Sequence, residues 1–246
     1  MITSKVTSAT QKRSFPGFDH LYEVWGSLGR RQFAANFGNL DSETSWTDSA
    51  AYLRGETTAT EPIQIPWVEG ARTPSDFVWA QHAPIVHRRV VQLLREHGFT
   101  GWRTYSVDVT GKKGESYPDF QGLAIVGRCG AVDLSRSPVV VLQRPGGAPV
   151  PHFLGHYFQE DSWDGSDMFM EMPDFTGHWT THMYVTEGVR LAFKQAKIRN
   201  VYFYGPLSKD ESATYEYEGM LKHLLPSDLA RRVKAAYARA GVPRPD

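Results

Sequence analysis

The first clear pattern of hydrophobic and polar positions lies near the middle of the chain. A short apolar run at residues 85–86 leads into residues 87–97, where apolar side chains recur every three or four positions. This spacing is typical of one buried helix face, and Gly98 supplies the left-handed residue that ends many helices. Residues 102–109 then alternate as a half-buried strand does. The pattern predicts a strand–helix–strand unit over about residues 84–109.

The same order of elements returns about a hundred residues later. Residues 183–185 are apolar and rich in β-formers, and Thr186 is a suitable helix N-cap. An apolar stripe at helical spacing then continues to Lys197. Another short strand, Val201–Tyr204, follows at once. We therefore expect a second strand–helix–strand unit over about residues 183–204.

A constant offset of 99 residues aligns the two predicted units. Gly101 then meets Asn200, and both residue types tolerate turn conformations. An internal duplication and a general likeness between strand–helix–strand units both explain the match. Either explanation predicts an α+β fold in which a β-rich segment joins the two units. The apolar pairs at this offset are Val86 with Val185, Val90 with Val189, Leu93 with Ala192, Leu94 with Phe193, Phe99 with Ile198 and Trp102 with Val201.

The remaining patterns suggest how the chain is divided. Residues 1–14 are polar and aperiodic and predict a flexible leader, while residues 15–75 predict a mixed segment that packs on or leads into a main domain at 76–246. A capping serine and an apolar stripe predict a C-terminal surface helix over 227–240, which Gly241 ends.

Three weaker local patterns complete the fold prediction. Residues 18–37 show helical spacing that two glycines interrupt. Residues 63–67 alternate, and Pro66 withholds a backbone donor, so a short edge strand is expected in an otherwise irregular connector. The turn at 111–114 predicts a hairpin into residues 117–126.

Composition narrows the classes of function. Lys+Arg and Asp+Glu number 27 each, so the chain lacks the broad positive charge of most nucleic-acid and anionic-membrane binders. Cys129 is the single cysteine and has no intrachain partner, which favours a reducing compartment. The N-terminus has no apolar signal-peptide stretch, and no run is long enough to span a bilayer. We expect a cytoplasmic protein that binds neither nucleic acid nor membrane.

The common catalytic motifs are missing from the sequence. It contains no nucleophile elbow, phosphate-binding loop or dinucleotide fingerprint. Two histidine pairs, His152/His156 and His178/His182, have the spacing of helical zinc ligands, but Gly155 and a β-forming context argue against helix at both. In a strand, residues four apart are separated by roughly 13 Å, too far to share a metal without other ligands. The prediction is a protein that is not an enzyme, with no catalytic residue, metal site or cofactor.

The acidic segment 160–171 is the most unusual local composition. Its spacing does not fit a calcium loop, because the third position from Asp161 is a tryptophan and glycine falls at the fifth. Carboxylates interleaved with aromatic residues form either an acidic loop over the core or a surface that docks a basic partner. The partner-binding residues predicted here are Asp161, Trp163, Asp164, Asp167 and Glu171.

Several of these stretches resemble a family of bacterial immunity proteins encoded beside polymorphic toxins. The resemblance lies in Asp76–Trp79, Pro84–Val86, the closing Gly98–Trp102, the acidic Asp167–Phe169 and the final strand–helix–strand at 184–203. The chain is also similar to a related myxobacterial group that carries two C-x-x-C-G motifs of zinc-binding type. This sequence keeps only Cys129 and Gly130 of those motifs, so the resemblance does not extend to that metal site.

The resemblance spans about residues 60–205 and implies an α+β immunity protein that neutralises a cognate toxin domain by binding it. It implies no catalytic residues. Two alternatives stay open at this point. The first is a small hydrolase or transferase that uses the acidic and histidine residues of segment 152–182, and the second is a non-catalytic scaffold or oligomerisation module that uses the same aromatic surface.

Overall fold

The fold is α+β, as predicted, with strands supplying most of the regular structure. The structure is a computed structural model. It describes residues 13–26, 32–38, 45–137, 139–142, 150–153, 155–173 and 181–208, together with residues 231, 234, 235, 237–239 and 241 near the C-terminus.

The helices and strands are short and follow one another closely. The helices are α1 (Ser45–Leu53), α2 (Arg88–Glu96) and α3 (Glu187–Gln195), and single 3-10 turns occur at Phe18–His20 and Glu160–Ser162. The strands are β1 (Leu21–Trp25), β2 (Phe33–Ala35), β3 (Ile63–Gly70), β4 (Phe77–Ala80), β5 (Ala83–His87), β6 (Trp102–Tyr105), β7 (Val107–Thr110), β8 (Phe120–Ile125), β9 (Gly127–Cys129), β10 (Val139–Leu142), β11 (Val150–Phe153), β12 (Met168–Glu171), β13 (Met183–Thr186) and β14 (Tyr202–Tyr204).

The larger sheet has seven strands and closes on itself. Its order is β6-β8-β5-β4-β2-β3-β7, and only Ser106 separates the terminal strands β6 and β7 in the chain. The Ser106 carbonyl accepts a hydrogen bond from the Ile63 backbone at 3.1 Å, which continues the ladder across this junction. Alternating side chains point inward and fill the interior. This core includes Phe33, Phe37, Ile65, Val78, Ile85, Val107, Val109 and Phe120.

The smaller sheet has five strands in the order β14-β1-β13-β12-β9, and both of its faces carry buried side chains. One face packs with α2, α3 and the seven-stranded sheet through Tyr22, Met170, Val185 and Phe193. Because successive strand residues point to opposite faces, the neighbouring positions form a second, aromatic layer. We call this second side the outer face. Its buried members include Phe18, Leu21, Cys129, Phe158, Trp163, Phe169 and Tyr184.

Both predicted strand–helix–strand units are confirmed, at the predicted offset. Helix α2 spans residues 88–96 and α3 spans 187–195, which is a shift of 99. The two strands of each unit run parallel and flank one inserted strand, β8 in the first unit and β1 in the second. Backbone conformation repeats as well. Gly98 and Lys197 have φ of 65° and 51°, and Gly101 and Asn200 have φ of 87° and 63°.

Two buried aspartates join the units in a reciprocal arrangement. The Asp76 carbonyl accepts from the His87 backbone N–H, and the Asp167 carbonyl accepts from Thr186, the residue at the same offset. Each carboxylate binds the other unit: Asp76 accepts from the Arg199 backbone N–H at 2.8 Å, and Asp167 accepts from the Thr100 N–H at 2.9 Å. We call this pair the carboxylate clasp. The donor residues repeat at the offset of 99, whereas the two aspartates are 91 positions apart, so both explanations of the match stay open.

The structure corrects the expectations for the N-terminal third. Instead of a helical pattern, Leu21–Trp25 forms β1, an interior strand that pairs with β13 and β14. Helix α1 occupies the connector that was expected to be irregular. Strand β3 is not an edge strand, because it pairs with β2 on one side and with β7 on the other. Its Pro66 lacks an N–H but still accepts from the Asn36 backbone at 3.0 Å.

Two further predictions are resolved in part. The turn after β7 forms, with a bridge from Thr110 to Ser116, but β8 pairs with β5 and β6 rather than with β7. Arg231, Lys234, Ala235 and Tyr237–Arg239 are helical, consistent with the C-terminal helix. The other positions of that helix, and residues 1–12 of the predicted leader, lie outside the described residues.

Candidate functional site

The outer face of the five-stranded sheet carries an unusual group of polar side chains among its aromatic residues. Glu23 on β1 lies opposite Tyr184 on β13, and Glu171 on β12 lies opposite Cys129 on β9. Glu23 and Glu171 are 8% and 3% exposed, so both carboxyl groups are almost fully withdrawn from water. Buried acids of this kind are costly unless they are paired or serve as ligands.

His182, directly before β13, provides the charge partner of Glu23. Its Nδ1 lies 2.6 Å from Oε1 of Glu23. Burial opposes the charged imidazole, but the Glu23 carboxylate outweighs that effect and raises the pKa of His182 to about 9. Burial would likewise raise the pKa of Glu23, and the facing imidazole lowers it instead. The two groups therefore form an ion pair at neutral pH.

Tyr184 connects this pair to a second histidine. Its hydroxyl lies 3.2 Å from Nδ1 of His156 and is also hydrogen-bonded to Glu171. Complete burial, followed by the nearby carboxylates of Glu171 and Glu23, raises the pKa of this phenol, which stays neutral. A phenol that donates to the Glu171 carboxylate accepts from the Nδ1–H of His156.

Glu23, His156 and His182 therefore come together from three separate parts of the chain. One ligand atom from each residue lies within 4.8 Å of the other two. The prediction that the chain has no metal site considered only the spacing within each histidine pair. The cluster instead takes His156 from the first pair and His182 from the second, together with a glutamate more than a hundred residues away in sequence. A short sequence motif cannot reveal such a set, because its members come together only when distant segments of the chain meet in the folded protein.

An exposed aromatic strip lies beside this cluster, at the edge of the same sheet. Trp25, Tyr202 and Tyr204 are 41%, 51% and 50% exposed, and we call them the aromatic edge. Trp25 lies opposite Tyr202 in the ladder, and its ring contacts those of Tyr204 at 6.2 Å and His182 at 5.9 Å. Within the described residues, β14 pairs on one side only, with β1. The sequence indicated its strand, but not its exposure.

Three of the five predicted partner-binding residues lie inside the protein. Trp163 is 3% exposed and packs against Phe15 and Phe169. Asp167 is 6% exposed and belongs to the carboxylate clasp, where Arg13 forms an ion pair with it at 2.8 Å. Glu171 is buried beside Tyr184, as described above. Their burial corrects the idea that this segment docks a partner through its aromatic and central acidic side chains.

The other two predicted residues lie at the surface. Asp164 accepts hydrogen bonds from the backbone N–H groups of Arg128 and Ser166, so it shapes the loop. Asp161 lies in the 3-10 turn that packs near β9, at the opposite end of the sheet from the aromatic edge. A partner-binding role for these two residues stays a prediction. Among the described residues, Asp164 and Asp167 are not part of the group that His156 and His182 form with Glu23.

Cys129 is part of the buried aromatic layer. Burial, followed by the nearby Glu171 and Asp164 carboxylates, raises the pKa of its thiol well above the ordinary value. The thiol therefore stays protonated and unreactive at neutral pH. This placement agrees with a packing role for the cysteine.

Comparisons with protein-family models and with curated proteins find no match to this chain. Within the described part of the chain, no helix is both long and apolar enough to cross a membrane.

Proposed function

We propose that this protein is an immunity protein that binds a cognate bacterial toxin domain in the cytoplasm and neutralises it. The observation that carries the proposal is the aromatic edge. Its three rings lie on the neighbouring strands β1 and β14, at the side of the sheet where β14 has no second partner strand among the described residues, and each is about half exposed. The resemblance of residues 60–205 to immunity proteins supports the same function.

An open strand with aromatic side chains has the chemistry of a protein-binding surface. The backbone N–H and C=O groups of an edge strand can pair with a strand of a partner. Tyrosine and tryptophan bury large areas on binding, lose little side-chain entropy and are enriched among the residues that dominate binding energy. Phe203 lies between the two exposed tyrosines and packs into the core, which holds the strip in place.

The test is binding between this chain and the toxin domain encoded by the neighbouring open reading frame, measured by calorimetry. Truncating a central interface aromatic costs about 2 kcal/mol or more, so we expect Tyr204→Ala and Trp25→Ala each to weaken binding by roughly 30-fold or more. Trp46→Ala is the matched control. Trp46 is 58% exposed, lies on α1 and contacts His82, away from the aromatic edge.

The outcomes separate the alternatives. Loss of affinity in the edge variants with an unchanged Trp46→Ala variant supports the proposal. A failure of the wild-type chain to bind the neighbouring product would contradict it. A stable homo-oligomer that the edge substitutions dissociate, without toxin binding, would identify the scaffold alternative instead.

A further inference from the structure

We propose that Glu23, His156 and His182 form a binding site for one divalent transition-metal ion of the zinc class. The inference is independent of toxin binding, since it rests on the cluster alone. Two imidazoles and one carboxylate are a common set of three protein ligands for zinc, with a fourth position open to water or another donor. Calcium and magnesium prefer oxygen ligands, so the two nitrogens select against them.

The geometry of the cluster suits an ion better than it suits the bare side chains. Glu23 Oε1 and His182 Nδ1 are both buried and 2.6 Å apart. These two atoms form the ion pair described above, and neither has another hydrogen-bond partner among the described residues. A buried ion pair with no further hydrogen bonds recovers only part of its desolvation cost. A Zn²⁺ ion that displaces the proton of His182 into solvent would bind both atoms and supply the positive charge that faces Glu23.

The required movements are small. Ligand atoms of a tetrahedral zinc site lie about 3.3 Å apart, because each metal–ligand bond is about 2.0–2.2 Å long. Glu23 and His182 must therefore separate by less than 1 Å from their present contact, while His156 moves closer from within 4.8 Å. Both histidines are partly exposed, with His182 at 32% of its side chain, so these rings have room to turn and an ion has a route in.

A supporting hydrogen-bond relay already orients one ligand. The chain of contacts runs from Glu171 through the Tyr184 hydroxyl to Nδ1 of His156, which fixes the orientation of that ring. Carboxylate-linked histidines of this kind are typical of zinc proteins, where the relay fixes the ring and its tautomer. Tyr184 is thus a positioning residue, while Glu23, His156 and His182 are the ligands.

The experiment is zinc titration of the full chain, purified without a polyhistidine tag and treated with chelator, followed by calorimetry and thermal unfolding. We expect one Zn²⁺ per chain, a higher unfolding temperature with Zn²⁺, and no effect of Mg²⁺ or Ca²⁺. Glu23→Gln, His156→Gln and His182→Ala should each weaken Zn²⁺ binding by about 100-fold or more. Tyr184→Phe keeps the ring and should weaken it by roughly 10-fold, the lower range for loss of a supporting hydrogen bond.

His20→Ala is the matched control. His20 Nδ1 lies 2.7 Å from Glu187 Oε2, so it forms a similar histidine–carboxylate contact, but it is not part of a three-residue group among the described residues. This variant should bind Zn²⁺ as the wild type does. Because His156 lies in a partly exposed loop position, His156→Gln should fold even if Glu23→Gln does not. Absence of stoichiometric binding, or equal binding by the wild type and a folded His156→Gln variant, would overturn the proposal.

Discussion

At the residue scale, the polar side chains with the largest structural effect are buried and bind distant segments. Asp167 was expected at a surface because it lies in an acidic stretch, yet it holds two units together. The prediction rested on the acidic residues next to Asp167 in sequence. Its carboxylate instead binds the backbone of Thr100, 67 residues away. Glu23 presents the same problem. Nothing in the local sequence distinguishes Glu23 from an ordinary strand residue. Its place in a cluster depends on His156 and His182, which are distant in sequence.

The carboxylate clasp makes a testable prediction about stability. Asp76→Ala and Asp167→Ala each remove a buried acceptor and leave a backbone N–H without its partner, so each should lower the free energy of unfolding by about 2–4 kcal/mol. Denaturant unfolding measures this change. Asp119→Ala is the control, since Asp119 is 44% exposed in its ion pair with Arg88, and a loss of less than about 1 kcal/mol is expected there. Clasp variants as stable as this control would show that the two aspartates are not structural.

At the element scale, hydrophobic spacing predicted the strand–helix–strand units well. Helices α2 and α3 have strong one-sided patterns, and Gly98 follows the end of α2, so the local sequence predicts both helices well. The N-terminal elements were harder to predict. The spacing of Leu21, Val24 and Trp25 fits a helix, but β1 is inserted between β13 and β14, and this tertiary pairing decides its conformation. The order of strands in either sheet has no signal in the local pattern.

The repeated backbone conformation after each helix gives a matched pair of substitutions. Lys197 has φ of 51°, where the first unit has Gly98 at 65°. A side chain in this conformation costs roughly 1–2 kcal/mol, so Lys197→Gly should raise the free energy of unfolding by up to about 1 kcal/mol after the entropy cost of glycine. Gly98→Ala should lower the free energy of unfolding by a similar amount. The cause is the backbone conformation and not a steric clash, because a Cβ added at Gly98 meets no atom within 4 Å. Changes of the same sign in both variants would contradict the structural equivalence of the two positions.

At the scale of the whole molecule, two candidate sites share one sheet. The aromatic edge and the histidine–glutamate cluster adjoin through Trp25, whose ring contacts both Tyr204 and His182. The turn at 160–162, which is the first part of the segment 160–171 predicted as a docking surface, lies by β9 at the other end of that sheet. The sequence indicated the α+β fold, but it could not locate either candidate site, because both depend on the order of the strands.

The central claim is neutralisation of a toxin by binding through the aromatic edge. The most direct measurement is growth of cells that express the toxin domain from the neighbouring reading frame together with this chain. We expect the wild type and Trp46→Ala to restore growth, and a folded Trp25→Ala/Tyr202→Ala/Tyr204→Ala variant to fail. Protection by that triple variant, or no protection by the wild type, would contradict the account.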